Sequence, residues 1–252
     1  MNSLVSIIIP TYNRLELLKR AIESVKNQSY SNMEIIIIDG STNNETQLFL
    51  EHNNQLTYIK NKNNHSNVLR NIGITASNGE LLAFLDDDDT WECTKIEKQV
   101  EKFQNNNIGL CYTGKNIIDK NDNKIKYSYK TPKFNSILNS IMWDNFIGST
   151  SSIMINQKTI TTIGMFDENL PALQDYDLCV RICEKFNVIG IDEPLVNYYY
   201  NYSKKQISEI NINFNLASQI INGKYKYLKN YKLLKLGLLK LKIKRKIKKK
   251  YE

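Results

Sequence analysis

The chain has 252 residues, 41% hydrophobic and 24% charged, with a net charge of +8. That length holds one large domain, or one domain with an appendage, and the composition supports a sizeable core and excludes a disordered chain. The charge is uneven: residues 224–252 carry 13 Lys or Arg and one Glu, which leaves 21 basic and 25 acidic residues elsewhere. The body is therefore mildly acidic, which argues against nucleic acid bound over its surface, and the basic end needs a partner of its own.

Residues 4–10, LVSIIIP, read as a buried strand closed by Pro10. Asn13 is placed to cap a helix over 14–27, where Leu15, Leu18, Ala21, Ile22 and Val25 recur at helical spacing. A second strand over 33–42 ends on Asp39-Gly40-Ser41, and a helix over about 43–53 follows. LTYIKN is a third, shorter strand. Residues 67–80 form a helix with Leu69, Ile72 and Ala76 on one face, ended by Gly79. Leu81 to Leu85 make a central strand buried on both faces. Residues 92–105 form an amphipathic helix with Ile96, Val100 and Phe103 inward, and IGLCYTG returns as a strand. Alternating strands and helices predict a parallel, doubly wound α/β arrangement.

The second half follows a different pattern. Residues 115–130 read as a hairpin around Asn121-Asp122-Asn123, and FIGSTSSIMI as a polar segment followed by a strand. Residues 173–186 form a helix with Leu178, Ile182 and Phe186 on its apolar face. NVIGIDEPLVNYYYNYS is extended, residues 205–230 are helical, and the basic tail follows. The four cysteines, Cys93, Cys111, Cys179 and Cys183, match no metal or redox spacing and read as free thiols in a reducing cytoplasm. The N-terminus has no signal-peptide pattern, and no apolar run reaches the ~18 residues that cross a bilayer.

Chemistry concentrates in GELLAFLDDDDTW, residues 79–91. Asp86 to Asp89 sit where the central strand ends, the edge at which open α/β sheets bind ligands. Adjacent carboxylates raise one another's pKa values unless a cation lies among them, and oxygen ligands suit Mg²⁺ or Mn²⁺ held together with substrate phosphates. The competing reading is a solvated acidic loop that caps a strand. Pro10, Thr11, Tyr12, Asn13 and Arg14 end the first strand where a nucleotide can be met. Asp39 ends the second, where a carboxylate can accept from a base or ribose, or simply make an Asp-Gly turn. No G-x-G-x-x-G follows the first strand, which disfavours a dinucleotide site.

Taken together, SIIIPTYNR, EIIIIDGST, LRNIGITASNGELLAFLDDDD and Trp91, in this order and spacing, closely resemble the inverting glycosyltransferases of family 2 over residues 1 to about 115. The resemblance implies the GT-A fold and a nucleotide-sugar donor, commonly UDP-linked. It implies that Asp39 contacts the base and that Arg70 lies near the nucleotide phosphates. Asp86 and Asp87 would lie near the ribose or the metal's water shell, and Asp88 would be the direct ligand of Mn²⁺ or Mg²⁺, with Asp86 beside it. Pro10, Thr11, Tyr12 and Arg14 fall in the same nucleotide-sugar-binding set. LQDYDLCVR resembles the family's later acidic segment; Gln174 replaces its Glu, and Asp175 would be the catalytic base. Asp177 and Arg181 are spaced for a helix ion pair. Two positions depart from the family pattern: Ile38 replaces an Asp, and Asn201 sits near a position that often holds His. His52 and His65 read as surface residues.

The implied domains are 1–204, a GT-A glycosyltransferase domain with a nucleotide-sugar-binding half (1–115) and an acceptor-binding half (116–204), and 205–252, a helical membrane-associating tail. Trp143, Asn145, Ser149 and Gln174 are candidate contacts for sugar or acceptor. The tail interleaves Leu, Ile and Tyr with Lys. It suits a helix lying on an anionic leaflet, and the competing reading is a helix packed on the body with a solvated basic end. The expected reaction transfers a Glc, Gal or GlcNAc-type sugar from UDP to a polyprenyl-diphosphate-linked saccharide, with inversion to a β-linkage. It belongs to O-antigen or capsule assembly on the inner face of the cell membrane. The alternatives are a nucleotidyltransferase with a similar metal site, and a non-catalytic module that binds lipid or nucleic acid.

Overall fold

The computed structural model describes residues 2–51, 55–104, 107–119, 121, 123–199 and 211–251. The apolar runs of the first half form β1 (Val5–Thr11), β2 (Met33–Asp39), β3 (Leu56–Lys60) and β4 (Leu81–Phe84), all mutually parallel. Between them lie α1 (Leu15–Lys26), α2 (Glu45–Leu50) and α3 (Ser66–Ala76). Alternation within each run feeds two apolar layers. Val5, Ile7 and Ile9 of β1 face the layer of Leu18, Ala21 and Val25 from α1, whereas Ile8 faces Leu69 and Ile74 of α3. Burial on both faces is why these strands read as unbroken apolar runs.

The sheet is mixed rather than parallel throughout. Its order is β3-β2-β1-β4, then β8 (Ile153–Asn156), β6 (Ile108–Ile118), β9 (Asn187–Tyr199) and β5 (Thr90–Trp91), with β7 (Lys124–Ser128) paired to β6. β8 lies antiparallel between β4 and β6, so IGLCYTG does not neighbour the central strand. β9 runs parallel to β6, and the two-residue β5 pairs antiparallel with it. The expected hairpin exists: β7 pairs with the end of β6. Three short elements carried too little periodicity to be read: β5, α5 (Ile137–Trp143) and α6 (Gln157–Ile163). The helix read over 92–105 is the shorter α4 (Lys95–Lys102), and that over 173–186 is α7 (Gln174–Lys185).

Two capping expectations fail. Asn13 does not cap α1, whose N-cap is Arg14. Asn13 sits at φ 52° and its side chain bridges to Thr42 N (3.0 Å), tying the β1–α1 loop to the one after β2. Gly79 does not end α3, which stops at Ala76. A Cβ on Gly79 would lie 2.6 Å from Ser6 N, so the glycine is there for the close approach of the chain to β1.

The C-terminal segment is bound into the body. Residues 205–210 of the expected helix lie outside the described residues, and the rest forms α8 (Asn211–Lys224) and α9 (Tyr231–Tyr251). Ala217, Ile221, Tyr225, Leu228, Leu234 and Leu238 belong to the larger core cluster, beside Ile141, Met142 and Tyr176. Gly237 lets α9 approach α5 closely, since a Cβ there would lie 2.1 Å from Met142 O. Opposite this packed face, Leu236, Leu239 and Ile243 are about half exposed. No described helix is long and apolar enough to cross a membrane. Cys93 is exposed and the other three thiols are buried, all unpaired. His65 precedes α3 half-buried, and His52 lies outside the described residues.

Candidate active site

β1 and β4 are held in register up to their ends, where Leu85 N donates to Ile8 O at 3.1 Å. The chain then turns at once: Asp89 N donates to Asp86 O at 3.0 Å, and the four aspartates become a tight turn. Their carboxylates fan apart. Asp86 accepts from Arg70 of α3 at 2.5 Å. Asp87, almost fully buried, accepts from Thr11 Oγ1 at 2.8 Å and from Arg14 at 3.1 Å. Asp88 accepts from the same arginine at 3.1 Å and keeps 38% of its side chain exposed within the cavity. Asp89 points the other way, accepting from Ser151 Oγ (2.6 Å) and from Tyr199 N (3.3 Å).

Burial and crowding leave this cluster short of compensation. Burial, followed by the charge of Asp88, pushes the Asp87 carboxyl up to about 6 against the opposing pull of Arg14 and Thr11. Asp88 is raised by the protein around it and by Asp86, and Asp89 is raised well above the ordinary range, burial again leading. Such a turn favours a cation at its mouth.

The opposite wall is the start of α7. Leu173, at φ 60°, turns the chain so that Gln174 and Asp175 open the helix. Tyr176 N donates to Asp175 Oδ1 at 2.8 Å. Burial raises the Asp175 carboxyl, Tyr176 N and the charge of Arg70 oppose the rise, and Asp86 adds to it. Between these walls lies a cavity of about 360 Å³. It brings together Pro10, Thr11, Tyr12, Arg14, Arg70, Asp86, Asp87, Asp88, Gln174 and Asp175, together with Asn145 and Ser149. Tyr198 of β9 and Leu241 of α9 also line it, and neither carried a sequence signal. Gln174 Nε2 makes one long contact, 3.5 Å, to Ser66 Oγ.

Two expected residues are placed differently. Asp39 is fully buried and does not line the cavity. Its Oδ1 accepts from Ser41 N (2.8 Å), and its Oδ2 from Tyr58 OH (2.8 Å) and Lys60 Nζ (3.0 Å), which together hold its carboxyl below the ordinary range despite burial. Trp143 ends α5 outside the cavity, with Lys133 and Lys240 each 4.8 Å from its ring. Asn201 lies outside the described residues. Asp177 and Arg181 do pair, at 2.9 Å, and Asp177 also accepts from Tyr225 OH and pairs with Lys224, both at 2.8 Å. A larger groove, about 820 Å³, lies between α8 and α9 with Lys232, Lys235 and Lys242 along it, away from the aspartates.

Among the described residues no group of three or more His, Cys, Asp or Glu is positioned to hold an ion. Asp86 and Asp88 nevertheless line the cavity with hard oxygen donors, the donor set that Mg²⁺ or Mn²⁺ takes when substrate phosphates supply further ligands.

A mixed sheet whose parallel half ends in aspartates, facing a helix-borne aspartate across a cavity, is the GT-A architecture. The chain belongs to glycosyltransferase family 2: the family model described as "Glycosyl transferase family 2" matches residues 6–164. An uncharacterized glycosyltransferase of Rickettsia conorii is 33% identical over 225 residues, covering 83% of this chain. The chain spans only 36% of that relative's length. Among solved structures, S. aureus TarS 1–349 in complex with UDP-GlcNAc superposes with a TM-score of 0.70 at 16% identity, over 93% of this chain and 71% of that one. The Pyrobaculum calidifontis mannosyltransferase PcManGT, in complex with GDP-Man and Mn²⁺, gives 0.66 at 16% identity, over 93% and 73%. These likenesses establish the fold.

Proposed function

We propose that the chain is an inverting glycosyltransferase that moves a sugar from a UDP-sugar to a hydroxyl of a lipid-diphosphate-linked saccharide. The observation that carries this reading is the single cavity that sets Asp86 and Asp88 opposite Asp175. The donor diphosphate would lie against the aspartate turn, with Arg14 and Arg70 beside it. A divalent ion, Mn²⁺ or Mg²⁺, held by Asp88 and Asp86, would supply neutralisation of the diphosphate as it departs. Arg70 also offers charge there, since it lies on Asp86 and extends over the Phe166 ring (5.5 Å).

Asp175 would take the proton from the acceptor hydroxyl. The acceptor oxygen forms the bond to the anomeric carbon as the bond to the diphosphate breaks, and UDP leaves from the opposite face. One displacement inverts the anomeric centre and gives a β-linkage from an α-linked donor. A raised carboxyl pKa makes Asp175 a better base than an ordinary aspartate. Asp39 is fully buried behind Tyr58 and Lys60, so its contact with the base would need these side chains to move aside. Membership of the family weighs against the nucleotidyltransferase alternative.

The half-exposed Leu236, Leu239 and Ile243, flanked by lysines, support a peripheral seat on an anionic inner leaflet. The same helix reaches the cavity through Leu241. That continuity favours an acceptor delivered from the membrane, as in O-antigen or capsule assembly, and favours lipid over nucleic acid as partner of the basic end.

The test is a donor screen. Purified protein with Mn²⁺ is offered UDP-sugars and GDP-mannose, with and without a GlcNAc- or GalNAc-diphosphate-lipid analogue, and nucleotide release is measured. Release from one UDP-sugar that requires both acceptor and metal is the expected result. Absence of both release and UDP binding would overturn the reading.

A further inference from the structure

Beside the donor cavity lies a second, smaller one of about 140 Å³, and Asn145 lines both. Thr113 and Lys115, two residues apart on β6, both line it. The Lys115 ammonium lies 4.2 Å from the centre of the Tyr198 ring, and Tyr198 lines the donor cavity. Its electrostatic neighbours are Asp89, Asp175 and Asp86, with Lys130 opposing. Among the described residues this ammonium makes no hydrogen bond or ion pair, so its three donors are unspent.

The neighbouring carboxylates have hydrogen-bond partners of their own, Asp175 through Tyr176 N. Asp86 has Arg70, Asp87 and Asp88 share Arg14, and Asp89 has Ser151 and Tyr199 N. Lys130, also on this cavity, is paired with Asp144 at 3.0 Å. Thr113 is 3% exposed and, among the described residues, its Oγ1 has no partner. Buried hydroxyls are normally hydrogen-bonded, so an unpartnered one lining the same cavity as an unspent ammonium marks a place for an acceptor group. Burial lowers the Lys115 pKa even with three carboxylates nearby, so those carboxylates do not fully compensate its charge.

We propose that Lys115, with Thr113 beside it, binds the carboxylate or phosphate of an acidic saccharide whose ring lies next to Asp175. The inference rests on the glycosyltransferase reading and deepens it: the chain selects a negatively charged sugar. The anion belongs either to the donor sugar or to the acceptor, and the experiment separates the two.

Calorimetry with Mn²⁺ present compares UDP-glucuronic acid with UDP-glucose on the free protein. It then compares glucuronate-terminated with glucose-terminated oligosaccharide on the UDP-loaded protein. In one of the two pairs the acidic member binds more tightly. Lys115→Met reduces that acid-to-neutral ratio by about 10–100-fold, the worth of a charge-assisted hydrogen bond, and Lys115→Arg retains most of it. UDP binding by each variant serves as the control for folding and for the metal site. If neither pair is discriminated, the proposal falls and the glycosyltransferase reading stands. If Lys115→Met weakens UDP binding by the same factor, the lysine is a counter-charge to the aspartate turn, and the proposal falls. If the wild-type protein binds no UDP, both fall together.

Discussion

Asp175 and Asp87 are both carboxylates raised by burial, and they lead to different measurements. Asp175 lines the cavity beside the charge of Arg70 and is free to take a proton. Asp175→Asn lowers turnover by about 10²–10⁴-fold while UDP still binds, as measured by nucleotide release and by calorimetry. A non-catalytic module would keep its partner affinity through this change and show no turnover to lose. The acid limb of kcat/KM against pH lies above the ordinary carboxylate range near ~4, because a base with a raised pKa is protonated at higher pH.

Asp87 reports on stability. Its carboxyl moves from 3.8 to about 6 on folding, so the folded state prefers the protonated form. A raised acid destabilises the fold above its folded pKa and stops doing so below its unfolded one. The cost is at most roughly 3 kcal/mol at neutral pH, falling away as pH drops from 6 towards 4. In chelator and without nucleotide, Asp87→Asn should gain on the wild type at pH 7.5, and the gap should close by about pH 4.5. A gap that is constant across that range would refute the assignment.

At the scale of elements, α7 and the C-terminal helices are tied together by one buried carboxylate. Asp177 is fully buried and receives Arg181 from its own helix and Lys224 and Tyr225 from the α8 end. Without it Lys224 keeps Asp167 and Arg181 keeps the carbonyls of Ile163, Gly164 and Met165, so Asp177→Ala should cost about 1–3 kcal/mol in denaturant unfolding. The (i, i+4) pair within α7 was legible because helical spacing alone brings the two side chains together. The other two partners were not, because no local rule relates positions nearly fifty residues apart.

Helix α9 divides by face. Leu234 and Leu238 are buried, and Leu236, Leu239 and Ile243 are not. Leu238→Ala should cost about 2–5 kcal/mol. A Leu236→Ser, Leu239→Ser, Ile243→Ser triple variant should keep its Tm within a few degrees and lose co-sedimentation with vesicles of anionic lipid. Gly237→Val should destabilise by about 1–3 kcal/mol, since the added carbon meets the Met142 carbonyl.

Across the whole molecule, truncation after residue 230 should do more than release the protein from vesicles. It removes Leu234 and Leu238 from the core cluster and Leu241 from the cavity wall, so melting temperature and UDP affinity should both fall. A truncated protein with unchanged stability would mean that α9 is a separate appendage.

Apolar runs predicted the parallel strands of the first half, and the motif resemblance implied the GT-A class, which the fold shows. Buried strands announce themselves as apolar runs, their ends are marked by Pro10, Asp39 and Asp86, and these local signals need no knowledge of what packs against them. Asp175 came from the resemblance of LQDYDLCVR to the family's later acidic segment, and the structure sets it in the first turn of α7. Long-range packing sets β8 antiparallel in the sheet, encloses Asp39 with Tyr58 and Lys60, leaves Trp143 outside the cavity and brings Leu241 to its wall. Each depends on contacts between segments far apart in the chain, where the energy lies in burial and pairing rather than in spacing. The α9 pattern of Leu and Lys fits a membrane face and a packed face equally well, and the side of the helix that meets α5 assigned each leucine to one or the other.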